Sequence, residues 1–122
     1  QLRVLVAEDH KVNRLVLAEF LSILGLHYDF AEDGIECLER LRSTPYDVVL
    51  MDKNMPRLNG VDATRLIRES GETWSNIHIV ALTADAMVGE RERLLNAGMD
   101  GFISKPIEIT NLIEELSRVK VG

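Results

Sequence analysis

A single cysteine, Cys37, among 122 residues excludes an intramolecular disulfide and a thiolate metal cluster, and points to a reducing, cytoplasmic setting. Basic residues are in deficit, with 14 Lys and Arg against 20 Asp and Glu, a net charge of −6. Without clustered Lys and Arg to meet phosphates, the domain is expected to bind no nucleic acid. No apolar run approaches the roughly 18 residues that span a bilayer, so no membrane contact by the domain is expected. Neither GxGxxG nor GxxxxGK[ST] occurs, which rules out both of those glycine-rich phosphate cradles. His10, His27 and His78 are too scattered for a metal site, and no Ser-His-Asp or Cys-His arrangement stands out.

What remains is an ordinary globular composition, 46% hydrophobic and 28% charged, sufficient for one core and one domain over residues 1–122. The chain starts almost directly on a strand and stops just after a helix, as a domain excised from a longer chain would. Apolar clusters and helical patterns alternate five times, the signature of an α/β fold with a parallel sheet. Strands are predicted at 2–7, 27–31, 47–51, 77–82 and 101–104. The first helix carries Val16, Phe20, Ile23 and Leu24 at buried-face spacing and stops at Gly25. In the second, Asp33 and Glu36 have capping-box spacing, and Ile35, Leu38 and Leu41 form a stripe beside an inert, buried Cys37. The third and fourth are predicted at about 60–70 and 86–97, and the fifth carries Ile109, Leu112, Ile113 and Leu116.

Strands 1, 3 and 4 read as nearly continuous Val, Leu and Ile, which burial under helices on both faces produces. Strand 2, "HYDFA", alternates and belongs at an edge. Right-handed crossovers then favour the order 2-1-3-4-5 in a doubly wound sheet. In such a sheet, ligands bind outside the carboxyl ends of the strands. Those ends carry Glu8 and Asp9, Asp52, Thr83 and Lys105. The apolar run of "YDVVLMDKNMP" therefore ends on an acid at the rim where two other acids arrive.

Three adjacent carboxylates repel, and a hard divalent cation relieves them. Mg²⁺ accepts carboxylate oxygens and retains positions for water and phosphoryl oxygens. Lys105 adds a second positive charge and Thr83 a hydrogen-bond donor. An aspartate beside Mg²⁺ serves best as a nucleophile that attacks phosphorus and becomes an acyl phosphate, and Asp52 is that aspartate. Taken singly, Asp9 and Asp52 read as caps, Thr83 as a cap of the fourth helix in competition with Asp85, Lys105 as a solvated charge and Phe102 as core. Convergence on one rim outweighs those roles.

The motifs "VLVAEDHKVN", "DVVLMDKNMPRLNG", "IVALTADA" and "GFISKPI", in this order at strand ends, resemble the receiver domains of two-component response regulators, most of all those of hybrid sensor histidine kinases. The resemblance covers essentially the whole chain and implies a flavodoxin-like (βα)5 fold. It implies Asp52 as phosphoacceptor, Thr83 and Phe102 as switch residues, Lys105 as a catalytic partner, and a cis bond before Pro106. Metal ligands would be Glu8, Asp9, Asp52 and the Asn54 backbone carbonyl, holding Mg²⁺ with Mn²⁺ as a substitute. The implied partners are a histidine kinase or histidine phosphotransfer domain, docked on the first helix at Arg14, Leu17, Ala18 and Leu21. The setting would be cytoplasmic, as part of a membrane-anchored sensor kinase or free-standing. Glu8 stands where aspartate is commoner, and Lys53 directly after the acceptor departs from the commonest pattern. A small aspartate-nucleophile phosphatase and a phosphorylation-independent interaction module are the alternatives. The first needs a general acid where Asn54 stands, and the acidic rim counts against the second.

Overall fold

The Val- and Leu-rich runs have no polar face, and burying them on both sides requires a parallel sheet between two helical layers. A computed structural model describes residues 2–84 and 88–119. Its strands are β1 (Arg3–Ala7), β2 (His27–Ala31), β3 (Val48–Asp52), β4 (His78–Thr83) and β5 (Gly101–Ser104), all parallel, in the order β2-β1-β3-β4-β5. The helices are α1 (Lys11–Ile23), α2 (Gly34–Ser43), α3 (Gly60–Glu69), α4 (Glu90–Asn96) and α5 (Ile109–Leu116). This is the doubly wound flavodoxin-like arrangement that the sequence implied. No helix among the described residues is long and apolar enough to cross a membrane.

Alternation along the strands divides the core in two. Val4, Val6, Val48, Leu50, Val80, Leu82 and Ile103 face the layer of α1 and α5, where Leu17, Leu21, Leu112 and Leu116 meet them. Leu5, Ala7, Val49, Met51, Ile79 and Ala81 face α2, α3 and α4, together with Cys37, Leu41, Ile67 and Leu94. Every residue of β3 is buried, whereas β2 shows its half-exposed pattern at the sheet edge.

Strand ends differ from the sequence reading by about one residue, and the shift puts Asp52 and Thr83 inside their strands rather than after them. On α2, Asp33 caps as expected, its Oδ1 accepting Glu36 N–H at 2.8 Å. Glu36 reaches back one residue beyond the cap, its Oε1 accepting Glu32 N–H. Cys37 is fully buried, and burial pushes its thiol up to about 12, so it is inert. Ile35, read in the stripe of the second helix, and Ile113 of the fifth are exposed. The fourth helix starts at Glu90 rather than at residue 86, because Gly89 has a left-handed backbone (φ 91°) that a helix cannot run through. Ala86 and Asp85 lie outside the described residues.

The largest correction concerns α1. Leu17 and Leu21, read as a surface docking patch, are 0% exposed and form the centre of its buried face. Ile23, read as core, is 66% exposed. Phe20 and Leu24 flank the true seam. The helix is apolar on most sides, so its period alone admits two solutions, and the real one is rotated by less than the roughly 100° separating successive residues. Arg14 and Ala18 are half-buried. The outward apolar residues of α1 are Val12, Leu15 and Ile23.

Candidate functional site

Parallel strands of matched register deliver their last residues to one rim. Ala7 lies beside Met51, Asp52 beside Leu82, and Thr83 beside Ser104. Glu8 and Asp9 follow β1 directly, Asp52 closes β3, Thr83 closes β4, and Lys105 follows β5. Backbone bonds hold the rim together: Glu8 N–H donates to Ala31 O, Lys53 N–H to Leu82 O and Lys105 N–H to Thr83 O. The Lys105-Pro106 peptide is cis.

The rim brings together Glu8, Asp9 and Asp52, with one oxygen from each within 4.8 Å of the others. Glu8 and Asp52 are buried, at 0% and 3% exposed. Lys105 Nζ stands 3.2 Å from Asp52 Oδ2 and 3.3 Å from Glu8 Oε1. Glu8 Oε2 accepts His10 N–H, and Asp52 Oδ1 accepts Asn54 N–H. Glu8 Oε1 and Asp9 Oδ1 are buried without a hydrogen-bond partner among the described residues, the Lys105 approach to Glu8 being an ion-pair contact only. Burial, reinforced by the Asp52 carboxyl, raises Glu8 to about 7. Burial works against the Lys105 ammonium, but Asp52 and Glu8 outweigh it and hold that group above its ordinary value.

Orphaned oxygens on adjacent acids are groups that a hard cation would satisfy. Three hard oxygen donors with room for other ligands fit Mg²⁺ well. Asn54 is exposed directly after this cluster, and its carbonyl belongs to the loop that would complete the set. The cap roles for Asp9 and Thr83 do not hold. The N-cap of α1 is His10 and that of α4 is Gly89. Asp52 does keep a local turn bond, through Asn54 N–H, alongside its Lys105 contact.

Thr83 is 1% exposed, and Phe102, half-buried, packs on the core that faces α2, α3 and α4. In register, Phe102 lies beside Ala81, two residues before Thr83 on the same strand face.

Four supporting roles escaped the sequence reading. Arg14, named for docking, also acts as a clamp, since its Nη1 donates to the carbonyls of Glu8 (3.0 Å) and Asp9 (2.9 Å) and so fixes the acidic loop. An arginine in the first turn after two acids was the available signal. Gly60 opens α3 against the acceptor strand, and a Cβ there would sit 2.2 Å from the Asp52 carbonyl oxygen, so only glycine fits. Glu90, 2% exposed, pairs with Lys53 at 2.8 Å and gives that lysine its role. The acceptor loop is held on its other flank by Arg57, whose Nε meets Asp33 Oδ2 at 2.7 Å.

Comparisons with known proteins agree with this geometry. The family model for the response regulator receiver domain matches residues 4–117. The sensor protein EvgS of Escherichia coli O157:H7 is 39% identical over 119 residues, 98% of this chain but 10% of EvgS. This chain therefore spans about a tenth of that curated relative. Among solved structures, the receiver domain of sensor histidine kinase PA1611 from Pseudomonas aeruginosa PAO1, with magnesium coordinated in its active-site cleft, is 38% identical with a TM-score of 0.87, covering 96% of this chain and 95% of that one. The receiver domain of Saccharomyces cerevisiae Ssk1, crystallised with the histidine phosphotransfer protein Ypd1, gives 25% identity and a TM-score of 0.86, over 96% and 87% of the two chains. A match over 114 of 122 residues, together with an acidic cluster at the rim of the sheet, leaves one conclusion: the chain belongs to the response regulator receiver domains, the phosphoryl-accepting modules of two-component signalling.

Proposed function

We propose that Asp52 accepts the phosphoryl group, taken from a phosphohistidine of a kinase or histidine phosphotransfer domain. The observation that carries this reading is the meeting of three carboxylates within 4.8 Å with Lys105 at 3.2 Å from Asp52. A carboxylate oxygen of Asp52 attacks phosphorus, the P–N bond breaks, and the imidazole nitrogen leaves with the electron pair. Glu8, Asp9, Asp52 and the Asn54 carbonyl would hold Mg²⁺, or Mn²⁺ in its place, which neutralises charge on the transferring group. Lys105 orients Asp52 through Oδ2 and partners the incoming oxygens, while Thr83 supplies a hydroxyl donor on the β4 side. Incubation with Mg²⁺ and acetyl phosphate should give one hydroxylamine-labile phosphate that maps to Asp52 by mass spectrometry. Phosphate at another residue overturns the assignment.

The partner surface is the outward face of α1 beside the acidic loop. Val12 and Leu15 are 69% and 60% exposed there, a cost in water that a docked helix would relieve. Leu15→Arg should slow transfer from a histidine phosphotransfer domain while leaving uptake from acetyl phosphate intact. Equal loss in both assays would place the defect in folding or chemistry instead. Kinship with EvgS, and with the receiver crystallised with Ypd1, supports a relay role in the cytoplasmic part of a hybrid sensor kinase. The output would pass through Thr83 and Phe102: the threonine is drawn to the phosphoryl oxygens and the ring turns into the space vacated.

A further inference from the structure

The Lys53–Glu90 ion pair lies outside the acidic cluster and its Lys105 contacts. Lys53 continues the row of Val49 and Met51, so its side chain leaves the acceptor loop toward α2, α3 and α4, on the face opposite Asp52. Its Nζ reaches Glu90 Oε2 at 2.8 Å, with the two side chains 14% and 2% exposed. The other Glu90 oxygen is buried and has no hydrogen-bond partner among the described residues, and exposed Arg93 stands 3.9 Å from it.

Little else holds α4. It has seven residues, Gly89 gives it no side-chain cap, and its only buried residues are Glu90 and Leu94. It packs chiefly on β5. By contrast, Lys53 is fixed at the backbone, its N–H bonded to Leu82 O and its carbonyl to Gly60 N–H. A buried carboxylate is tolerated only with its cation in place. The first turn of α4 therefore sits where Lys53 puts it.

We propose that Lys53 is a positioning residue that ties α4 to the acceptor loop, so that a phosphoryl group on Asp52 is felt at the α4 surface through the Lys53–Glu90 pair. This rests on the assignment of Asp52 as acceptor. The phosphoryl group brings about −1.5 to −2 charge to Asp52, one residue along the backbone from Lys53 and across the strand from its ammonium. The ammonium is drawn toward it, Glu90 loses its counter-charge, and the first turn of α4 adopts a second arrangement.

The test compares the 122-residue wild type with Lys53→Met, Glu90→Gln and the double variant, by NMR amide shifts on adding Mg²⁺ and beryllofluoride. In wild type, shifts appear both around Asp52 and along residues 90–96. Each single variant should keep the shifts around Asp52 and reduce those of 90–96 to roughly half or less, with the double no worse than either single, as one shared pathway requires. Should a single variant fail to fold, the double, which buries no unpaired charge, decides by the same reading. Wild-type shifts along 90–96 in the variants, or losses that add in the double, overturn the proposal. Absence of any shift around Asp52 in wild type would instead overturn the acceptor assignment beneath it.

Discussion

The two ends of the sheet differ in the opposite sense to their size. At the amino end, a cleft of about 750 Å³ is lined by Tyr46, Asp47, Trp74, His78, Asp100 and Arg118 among others. At the carboxyl end, three acids and a lysine crowd one rim. Both ends carry carboxylates, but Asp47 and Asp100, which line the cleft, are occupied. Asp47 Oδ2 accepts Arg3 N–H, and Asp100 Oδ2 accepts both Ile79 N–H and Arg68 Nη2. At the rim, Glu8 Oε1 and Asp9 Oδ1 are left over. In the cleft, His78 Nε2 is a lone counterpart with no other orphan beside it among the described residues. Chemistry is located by unsatisfied buried groups that converge, and volume is a poor guide to it.

The strongest way to break this contrast is to substitute one residue at each end. Asp52→Asn should abolish acyl-phosphate formation from acetyl phosphate, while Trp74→Ala at the cleft should leave the rate within about twofold, since it touches no reacting group. Comparable losses would mean that the cleft takes part in the reaction. Between the two ends lies the wall that both share, and there α1 offers the next test. Leu17→Ala should lower unfolding free energy by about 2–5 kcal/mol, and Leu15→Ala by no more than about 0.5 kcal/mol, in urea titrations. The reverse ranking would restore the docking patch read from the sequence.

That second pair shows where sequence reading stops. Strand order, the edge position of β2 and the residues at the rim were legible because buried parallel strands are continuous apolar runs and their ends are marked by abrupt polar residues. The buried face of α1 was not, since Val12, Leu15, Val16, Leu17, Leu21 and Ile23 surround the helix and only packing against the sheet selects among them. Glu90 was missed for another reason. Its partner lies 37 residues away, and a helix begun at 86 would have given it a different direction.

A smaller effect is expected from the acids themselves. Glu8→Gln with Asp9→Asn should weaken Mg²⁺ binding about ten- to a hundredfold by calorimetric titration, whereas Asp47→Asn at the amino end should leave it unchanged. Undiminished affinity in the double variant would remove the metal from this rim. The smallest effect is in pH. Metal-free Glu8 titrates near 7 when folded, against 4.5 for the ordinary side chain, so between these values the folded state holds the extra proton. Stability without Mg²⁺ should therefore be greater at about pH 5.5 than at about pH 8, on the order of 1 kcal/mol, and fall as pH rises through the upper value. Mg²⁺ affinity should move the other way, because the metal needs the ionised acid. Glu8→Gln should flatten the stability slope, and a slope unchanged by that substitution would assign it to another group.

Asp52 and Lys53 are neighbours in sequence yet look into different helical layers, one toward α1 and α5, the other toward α4. The peptide bond between them is thus a border between two trades, chemistry and communication. On the proposed reading, the residues packed against α4 carry the response, and the outward face of α1 meets the phosphoryl donor. A single inserted residue in β3 would exchange the two, presenting the lysine to the metal ligands and the acid to Glu90. The length of this five-residue strand is therefore itself part of the message.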